Sequence, residues 1–101
     1  MKQFAAILAL AVLTAAAPKP ALVVHLSDFS FKPASATVKV GDTVQFVNDD
    51  PYPHTVTAQD GSFDSGNLDE HASYSYTFKK AGTYALMCTY HPNMKGMLTV
   101  R

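Results

Sequence analysis

The residues best suited to chemistry lie in one short segment, residues 88–94, which reads C-x-x-H-x-x-M and holds the only cysteine of the 101-residue chain. The segment offers a thiolate from Cys88, an imidazole from His91 and a thioether from Met94, and such donors together suit copper. A second histidine, His54, lies upstream in the sequence P-H-T-V. These residue types therefore predict a metal site with one copper ion.

The spacing of these donors has a structural reason. Cys88 ends a predicted strand, and His91 can reach the same point after a turn that the following proline stiffens. Met94 comes three residues later as a long axial contact, and Met97, three residues further still, competes for that position. His54 would come from another strand, so the ion would tie two parts of the fold together. Two histidines and one cysteine in a plane, with a weak axial methionine, are the ligands of a blue-copper electron-transfer site.

The first residues predict a secretory signal peptide. Lys2 gives a short positive start, and residues 4–17 form an apolar or small run that ends in three alanines. That run has 14 residues, fewer than the roughly 20 that span a bilayer. We therefore expect a signal peptide at residues 1–17, cleaved within a few residues of its end. One small domain would follow at residues 18–101, with no membrane span in the mature form and a location in the periplasm or otherwise outside the cytoplasm.

Composition narrows the classes of function. The chain has 8 Lys+Arg and 8 Asp+Glu, and no basic patch is dense enough to bind nucleic acid. A single cysteine cannot form an internal disulfide, so its presence in an exported domain needs another explanation. Metal binding is the explanation that the neighbouring histidine and methionine support. The two remaining histidines, His25 and His71, lack partners at ligand spacing and are expected to be structural or to face solvent.

Short alternating runs with turn residues between them predict an all-β domain, and no helical period extends over 11 residues of the mature chain. Gly41-Asp42 and Lys80-Ala81-Gly82 are turn signals. Together these features favour a β-sandwich or barrel. The predicted strands lie at residues 21–26, 37–40, 43–47, 54–58, 73–78, 83–88 and 96–100.

Several stretches resemble the plastocyanin/azurin-type cupredoxins, most closely the short-loop, amicyanin-like members. They read V-K-V-G-D-T-V-Q-F at 38–46, P-H-T-V at 53–56, F-D-S-G at 63–66 and A-G-T-Y-A-L-M-C-T-Y-H-P-N-M-K-G at 81–96. The resemblance extends over residues 31–100. It implies a Greek-key β-sandwich with copper at one end, and it favours Met94 over Met97. Carried over by motif position, the implied metal ligands are His54, Cys88, His91 and Met94.

Two positions depart from the family pattern. Thr55 follows the first ligand histidine where the family often has Asn, whose side chain braces the ligand loop. Thr55 keeps the backbone N–H that would bond the cysteine sulfur, and its hydroxyl is expected to replace part of the brace. Met87 precedes the ligand cysteine where the family often has an aromatic residue, so no second electron route through that position is expected.

The main functional prediction is a soluble, monomeric one-electron carrier in which copper cycles between Cu(II) and Cu(I). The resemblance implies that electrons pass through the exposed edge of His91 to a transient redox partner, such as a c-type cytochrome or an exported dehydrogenase. The alternative is a protein that carries or stores copper without electron transfer, although the chain has no methionine-rich or histidine-rich tract. An enzyme is not expected, because a catalytic copper centre needs further histidines, and His25 and His71 form no H-x-H pair.

Overall fold

The computed structural model describes residues 19–101, and within this range the chain forms β-strands and no helix. None of the described residues therefore forms a helix long and apolar enough to cross a membrane. The predicted signal peptide, residues 1–17, lies outside the described residues. The strands are β1 (Leu22–Ser27), β2 (Ser30–Lys32), β3 (Ser35–Val38), β4 (Thr43–Asn48), β5 (Thr57–Ala58), β6 (Ser73–Thr77), β7 (Gly82–Cys88) and β8 (His91–Val100).

The strands form two four-stranded sheets. The first has the order β2-β1-β4-β6 and the second the order β3-β8-β7-β5. Two neighbouring pairs are parallel, β1 with β4 and β3 with β8, and the other pairs are antiparallel. The predicted fold class, an all-β sandwich in one small domain, is confirmed.

Alternating side chains of both sheets meet in one hydrophobic core. In β4 the inward positions are Val44, Phe46 and Asn48, and in β7 they include Leu86 and Cys88. Full burial of a large apolar side chain contributes about 1.5–3 kcal/mol, so this alternation fixes the register of each strand. The same alternation turns the last residue of β4, an asparagine, and the last residue of β7, the cysteine, towards the interior.

The structure differs from the predicted strands at the ends of elements. Strand β2 was not predicted, because its three residues are too few to show a period of two. Strand β8 begins at His91 instead of residue 96, because the chain resumes pairing with β7 directly after a tight turn. Strand β5 has only two residues, and the remainder of the predicted strand 54–58 is a buried loop that carries His54.

Candidate metal site

The Cys88 segment, residues 88–94, is a hairpin turn followed by a bulge. Cys88 pairs with His91 across the turn, whereas its neighbour Met87 pairs with Lys95. Residues 92–94 therefore have no partner on β7, and the chain bulges outward at that point. The tight turn brings the ring of His91 back beside the cysteine, and the bulge gives Met94 a path to the same end of the sandwich.

The His54 segment, residues 48–55, is held by backbone and side-chain hydrogen bonds to buried groups. The backbone of His54 exchanges two hydrogen bonds with Leu68, at 3.1 and 2.8 Å. The side-chain amide of Asn48 donates to the carbonyl oxygens of Tyr52, at 2.8 Å, and Leu68, at 2.9 Å. Its oxygen accepts the backbone N–H of Asp50 at 2.9 Å. The loop is thus fixed from within, and the His54 side chain is fully buried.

Three of the predicted ligands meet between these two segments. Sγ of Cys88 lies 3.8 Å from Nδ1 of His54 and 3.6 Å from Nδ1 of His91. One ligand atom from each residue lies within 4.8 Å of the others. Within residues 19–101 no other group of three or more His, Cys, Asp or Glu side chains comes together in this way.

These separations fit a metal ion at the centre of the three donors. Transition-metal bonds of about 2.0–2.3 Å to nitrogen and sulfur, spread over a plane, place neighbouring donors about 3.6–3.8 Å apart. The observed distances from sulfur to the two nitrogens are 3.8 and 3.6 Å. A thiolate with two imidazoles in a trigonal arrangement favours copper. The donor chemistry and the spacing therefore agree with the predicted cofactor.

The fourth predicted ligand, Met94, lies at the same end and is 2% exposed. It lines a shallow surface pocket together with His91. The competing Met97 is 42% exposed and lies within β8, opposite Ser35 and Ala85 of the neighbouring strands. The burial of the two methionines therefore supports Met94 for the axial position.

Thr55 connects the two segments. Its backbone N–H donates to Sγ of Cys88 at 3.3 Å, and its hydroxyl oxygen accepts the backbone N–H of Thr89 at 2.9 Å. The hydroxyls of Thr89 and Thr57 also lie within hydrogen-bond distance, at 3.1 and 3.0 Å. The expectation that a threonine can serve here as a brace agrees with these contacts.

Two residues at the site were missed by the sequence analysis. Phe29, in the turn between β1 and β2, places its ring edge-on to the rings of His54 and His91, at centroid distances of 5.4 and 4.9 Å, and stacks on Tyr52 at 5.4 Å. Asp50 accepts a hydrogen bond from Nε2 of His54 at 2.7 Å. Neither residue belongs to a recognised ligand motif. The spacing of four residues between Asp50 and His54 in a proline-rich loop was the only signal.

Asp50 is a buried carboxylate in a favourable environment. Burial by itself raises the pKa of Asp50, but hydrogen bonds donated by the backbone of Phe29, by the ring of His54 and by the backbone of Asp28 outweigh it. The pKa of Asp50 therefore lies below its usual range, and the carboxylate is ionised. An ionised partner at Nε2 keeps the ring proton on that nitrogen and leaves Nδ1 of His54 free for a metal.

The two remaining histidines lie outside the cluster. His25 is on the surface, and its Nδ1 lies 2.7 Å from a carboxylate oxygen of Asp49. His71 is exposed and lies 3.6 Å from the carboxylate of Glu70. Both positions agree with the sequence-based expectation for these residues.

Comparison with known proteins identifies the family. The sequence matches the Cupredoxin-like domain over residues 3–100, which is nearly the whole chain. The chain therefore belongs to the cupredoxin family, and the predicted resemblance is confirmed. Amicyanin from Paracoccus denitrificans is 38% identical over 90 residues, covering 79% of this chain and 65% of the amicyanin.

Solved structures give the same result. The Cu(I) form of a mutant of amicyanin superposes with a TM-score of 0.77 at 33% identity, covering 84% of this chain and 86% of that chain. The Cu-containing nitrite reductase from Thermus scotoductus SA-01 gives a TM-score of 0.78 at 32% identity, but this chain covers only 25% of it. The copper prediction is thus confirmed by the family and by the site geometry together.

Proposed function

We propose that this cupredoxin is a type 1 (blue) copper protein that carries single electrons, with His54, Cys88, His91 and Met94 as its metal ligands. The observation that carries the proposal is the separation of Cys88 Sγ from the two histidine nitrogens, 3.8 and 3.6 Å, in a chain of this family. Copper bound there would supply a Cu(II)/Cu(I) couple. The copper of the structurally similar amicyanin mutant and nitrite reductase supports the same cofactor.

The residues of this chain hold the donors in place on both sides. The buried His54 is fixed by its backbone pairing with Leu68, and Cys88 by its strand and by the N–H of Thr55. Donors that barely move suit a one-electron carrier, because the two oxidation states of copper favour different geometries. A rigid site lowers the rearrangement that accompanies each transfer.

The proposed path for electrons is the edge of the His91 ring. This residue is half-buried, and exposed apolar residues surround it. Phe29, Tyr52 and Tyr90 are each about half exposed, and Pro92 is exposed beside them. A small apolar surface of this kind suits the weak, transient encounters that redox partners make. We propose a c-type cytochrome or an exported dehydrogenase as the partner, and a monomer that acts outside the cytoplasm, as the apolar run at residues 4–17 suggests.

One spectrum tests the electron-carrier proposal. The mature domain is reduced, given one equivalent of Cu(II), and examined by visible absorption and EPR. We expect an intense thiolate-to-copper charge-transfer band and an unusually small copper hyperfine splitting. A pale or loosely bound metal would instead favour the alternative, a protein that carries or stores copper.

The docking surface is tested separately with Pro53, which is exposed next to the buried His54. We expect Pro53→Glu to slow electron transfer to a natural partner at least several-fold while the blue colour is kept, because a buried charge at an apolar interface is costly. Ala81→Glu is the matched control, since it adds the same charge at an exposed position directly before β7, at the end of that strand away from Cys88. Stopped-flow rates that are equal in both variants would contradict docking at this surface.

A further inference from the structure

Asp50 connects the proposed ligand set to the surface around it without being a ligand. Its side chain accepts three hydrogen bonds, from the backbone N–H groups of Asp28 at 2.8 Å and Phe29 at 3.0 Å, and from Nε2 of His54 at 2.7 Å. The residue is 6% exposed. One carboxylate thus contacts both a buried ligand histidine and the turn between β1 and β2.

That turn has an unusual backbone. Ser27 and Ser30 pair across it, so it has two central residues, Asp28 and Phe29, and their φ angles are 55° and 57°. Such turns favour Asn-Gly or Asp-Gly, because glycine adopts positive φ without steric cost. A bulky side chain at positive φ is an outlier that persists only where the surroundings enforce it. Here Asp50 accepts the N–H groups of both central residues.

The enforced turn places an aromatic ring at the ligand cluster. The ring of Phe29 contacts the rings of His54 and His91 edge-on and stacks on Tyr52. With glycine in its place the turn would form more easily, but no ring would lie against the two histidines. The strained residue therefore places its ring directly against the two histidines.

We propose that Asp50 is a positioning residue that holds the imidazole of His54 in its metal-binding orientation and, through the same carboxylate, holds Phe29 over the two ligand histidines. The inference rests on the proposed copper function. By this inference, the side chain of Asp50 supports both the buried ligand His54 and the ring of Phe29, which lies against the partly exposed His91. Loss of this carboxylate would therefore affect the metal and the surface together.

A carboxylate is the group that these contacts require. An ionised carboxyl accepts hydrogen bonds at about four positions and donates none, whereas the side-chain amide of asparagine has one acceptor oxygen and an NH₂ group. In Asp50→Asn at least one of the three donors would face another donor. The neighbouring carboxylates are engaged elsewhere, since Asp28 pairs with Lys32 at 2.9 Å and Asp49 with His25.

The test compares Asp50→Asn with Asp49→Asn, which removes the same charge one residue away at an exposed position. In the metal-free, ¹⁵N-labelled protein we expect the backbone amides of residues 28 and 29 to exchange at least about 10-fold faster in Asp50→Asn, because each loses a bond to a charged acceptor. After copper loading we expect affinity for copper to be about 10- to 100-fold weaker, and the reduction potential to be higher, because a negative neighbour stabilises Cu(II). Asp49→Asn is expected to behave as wild type in all three measurements.

Equal effects in the two variants would show a general charge effect and overturn the proposal, as would unchanged amide exchange in Asp50→Asn. If Asp50→Asn does not fold, amide exchange and the position of the His54 ring proton in the metal-free wild type test the proposal instead. Protected amides at 28 and 29 with the His54 ring proton on Nε2 would support the proposal, and unprotected amides or a proton on Nδ1 would overturn it. The metal-free readouts stay valid if wild type shows no charge-transfer band, so failure of the copper function is distinguished from failure of this inference.

Discussion

The His54 segment and the Cys88 segment each supply donors to one site, but they are built by different means. The His54 segment is a loop fixed by buried polar side chains, with Asn48 and Asp50 each making three hydrogen bonds through their side chains. The Cys88 segment is fixed by strand pairing, a tight turn and a bulge. The His54 segment buries its histidine completely, and the Cys88 segment leaves His91 only partly buried.

This difference separates two requirements of a site that holds an ion and exchanges electrons. The His54 segment can hold its donor rigidly, because the hydrogen bonds from Asn48 to Leu68, from Asp50 to Asn48 and from His54 to Asp50 are buried, where water does not compete. The Cys88 segment can present the edge of the His91 ring to a partner, because strand pairing holds the segment in place without burying that ring. We therefore expect substitutions in the two segments to have different consequences, and four variants test this expectation.

The largest effect is expected in the Cys88 segment, from Cys88→Ser. Serine is nearly the same size but offers a hard hydroxyl oxygen in place of the soft thiolate. We expect the charge-transfer band to disappear and copper affinity to fall by more than the roughly 10- to 100-fold typical of an outer partner. Visible absorption and copper titration measure this, and circular dichroism checks that the sheets remain. A variant that stays blue would show that another residue supplies the sulfur.

The largest effect on stability is expected in the His54 segment, from Asn48→Ala. The asparagine side chain is fully buried, and its loss removes one donor from the carbonyls of Tyr52 and Leu68 and the acceptor of the Asp50 N–H. We expect a decrease of about 2–4 kcal/mol in the free energy of unfolding, measured with denaturant.

The matched control for this variant is Asn93→Ala in the Cys88 segment. Asn93 is exposed, and its replacement should change stability by less than about 0.5 kcal/mol. Equal losses in the two variants would contradict the view that the buried contacts of Asn48 stabilise the His54 segment.

A smaller effect is expected at the junction, from Thr55→Val. Valine keeps the shape and the backbone N–H that bonds the cysteine sulfur, but removes the hydroxyl that accepts the N–H of Thr89. We expect a loss of about 1 kcal/mol in stability, because the N–H of Thr89 loses its acceptor in a partly buried hydrogen bond, with the blue colour retained. Thr83→Val, at an exposed position of β7, is the control. Unchanged stability would show that the hydroxyl brace contributes nothing.

The smallest effect on the fold is expected from Met94→Leu. Exchange of buried methionine for leucine typically costs less than about 1.5 kcal/mol. The loss of the weak axial donor should raise the reduction potential, because Cu(II) favours a higher coordination number than Cu(I) and is therefore destabilised more. Met97→Leu should leave the potential unchanged, since Met97 is exposed. Cyclic voltammetry of both variants decides between the two methionines, and a shift in Met97→Leu alone would reverse the assignment.

Much of the Cys88 segment could be predicted from the sequence because its donors are close in the chain. Cys88, His91 and Met94 lie within seven residues, so a turn and a strand end suffice to bring them together. The inward direction of Cys88 follows from the alternation of Tyr84, Leu86 and Cys88 along β7. Local geometry and hydrophobic periodicity are the two signals that a single sequence carries best.

The support of the His54 segment could not be predicted in the same way. Asp50 accepts hydrogen bonds from the N–H groups of Asp28 and Phe29, which precede it by 22 and 21 positions in the chain. Asn48 donates to the carbonyl of Leu68, which lies 20 positions after it. No spacing or period in the sequence marks such contacts. The position of Phe29 was missed for a related reason, because Asp-Phe is not a typical pair for a two-residue hairpin turn.

The sequence by itself determined the donor types, their order and the alternation that builds the sheets, because each depends on residue chemistry or on neighbours a few positions apart. Tertiary structure alone decided which groups orient the donors. The pairing of Asp50 with His54, the hydroxyl contact between Thr55 and Thr89, and the placement of Phe29 over the two histidines all exist only after distant segments have packed together. Burial turns these contacts into constraints, since a polar group removed from water must find its partner inside the protein.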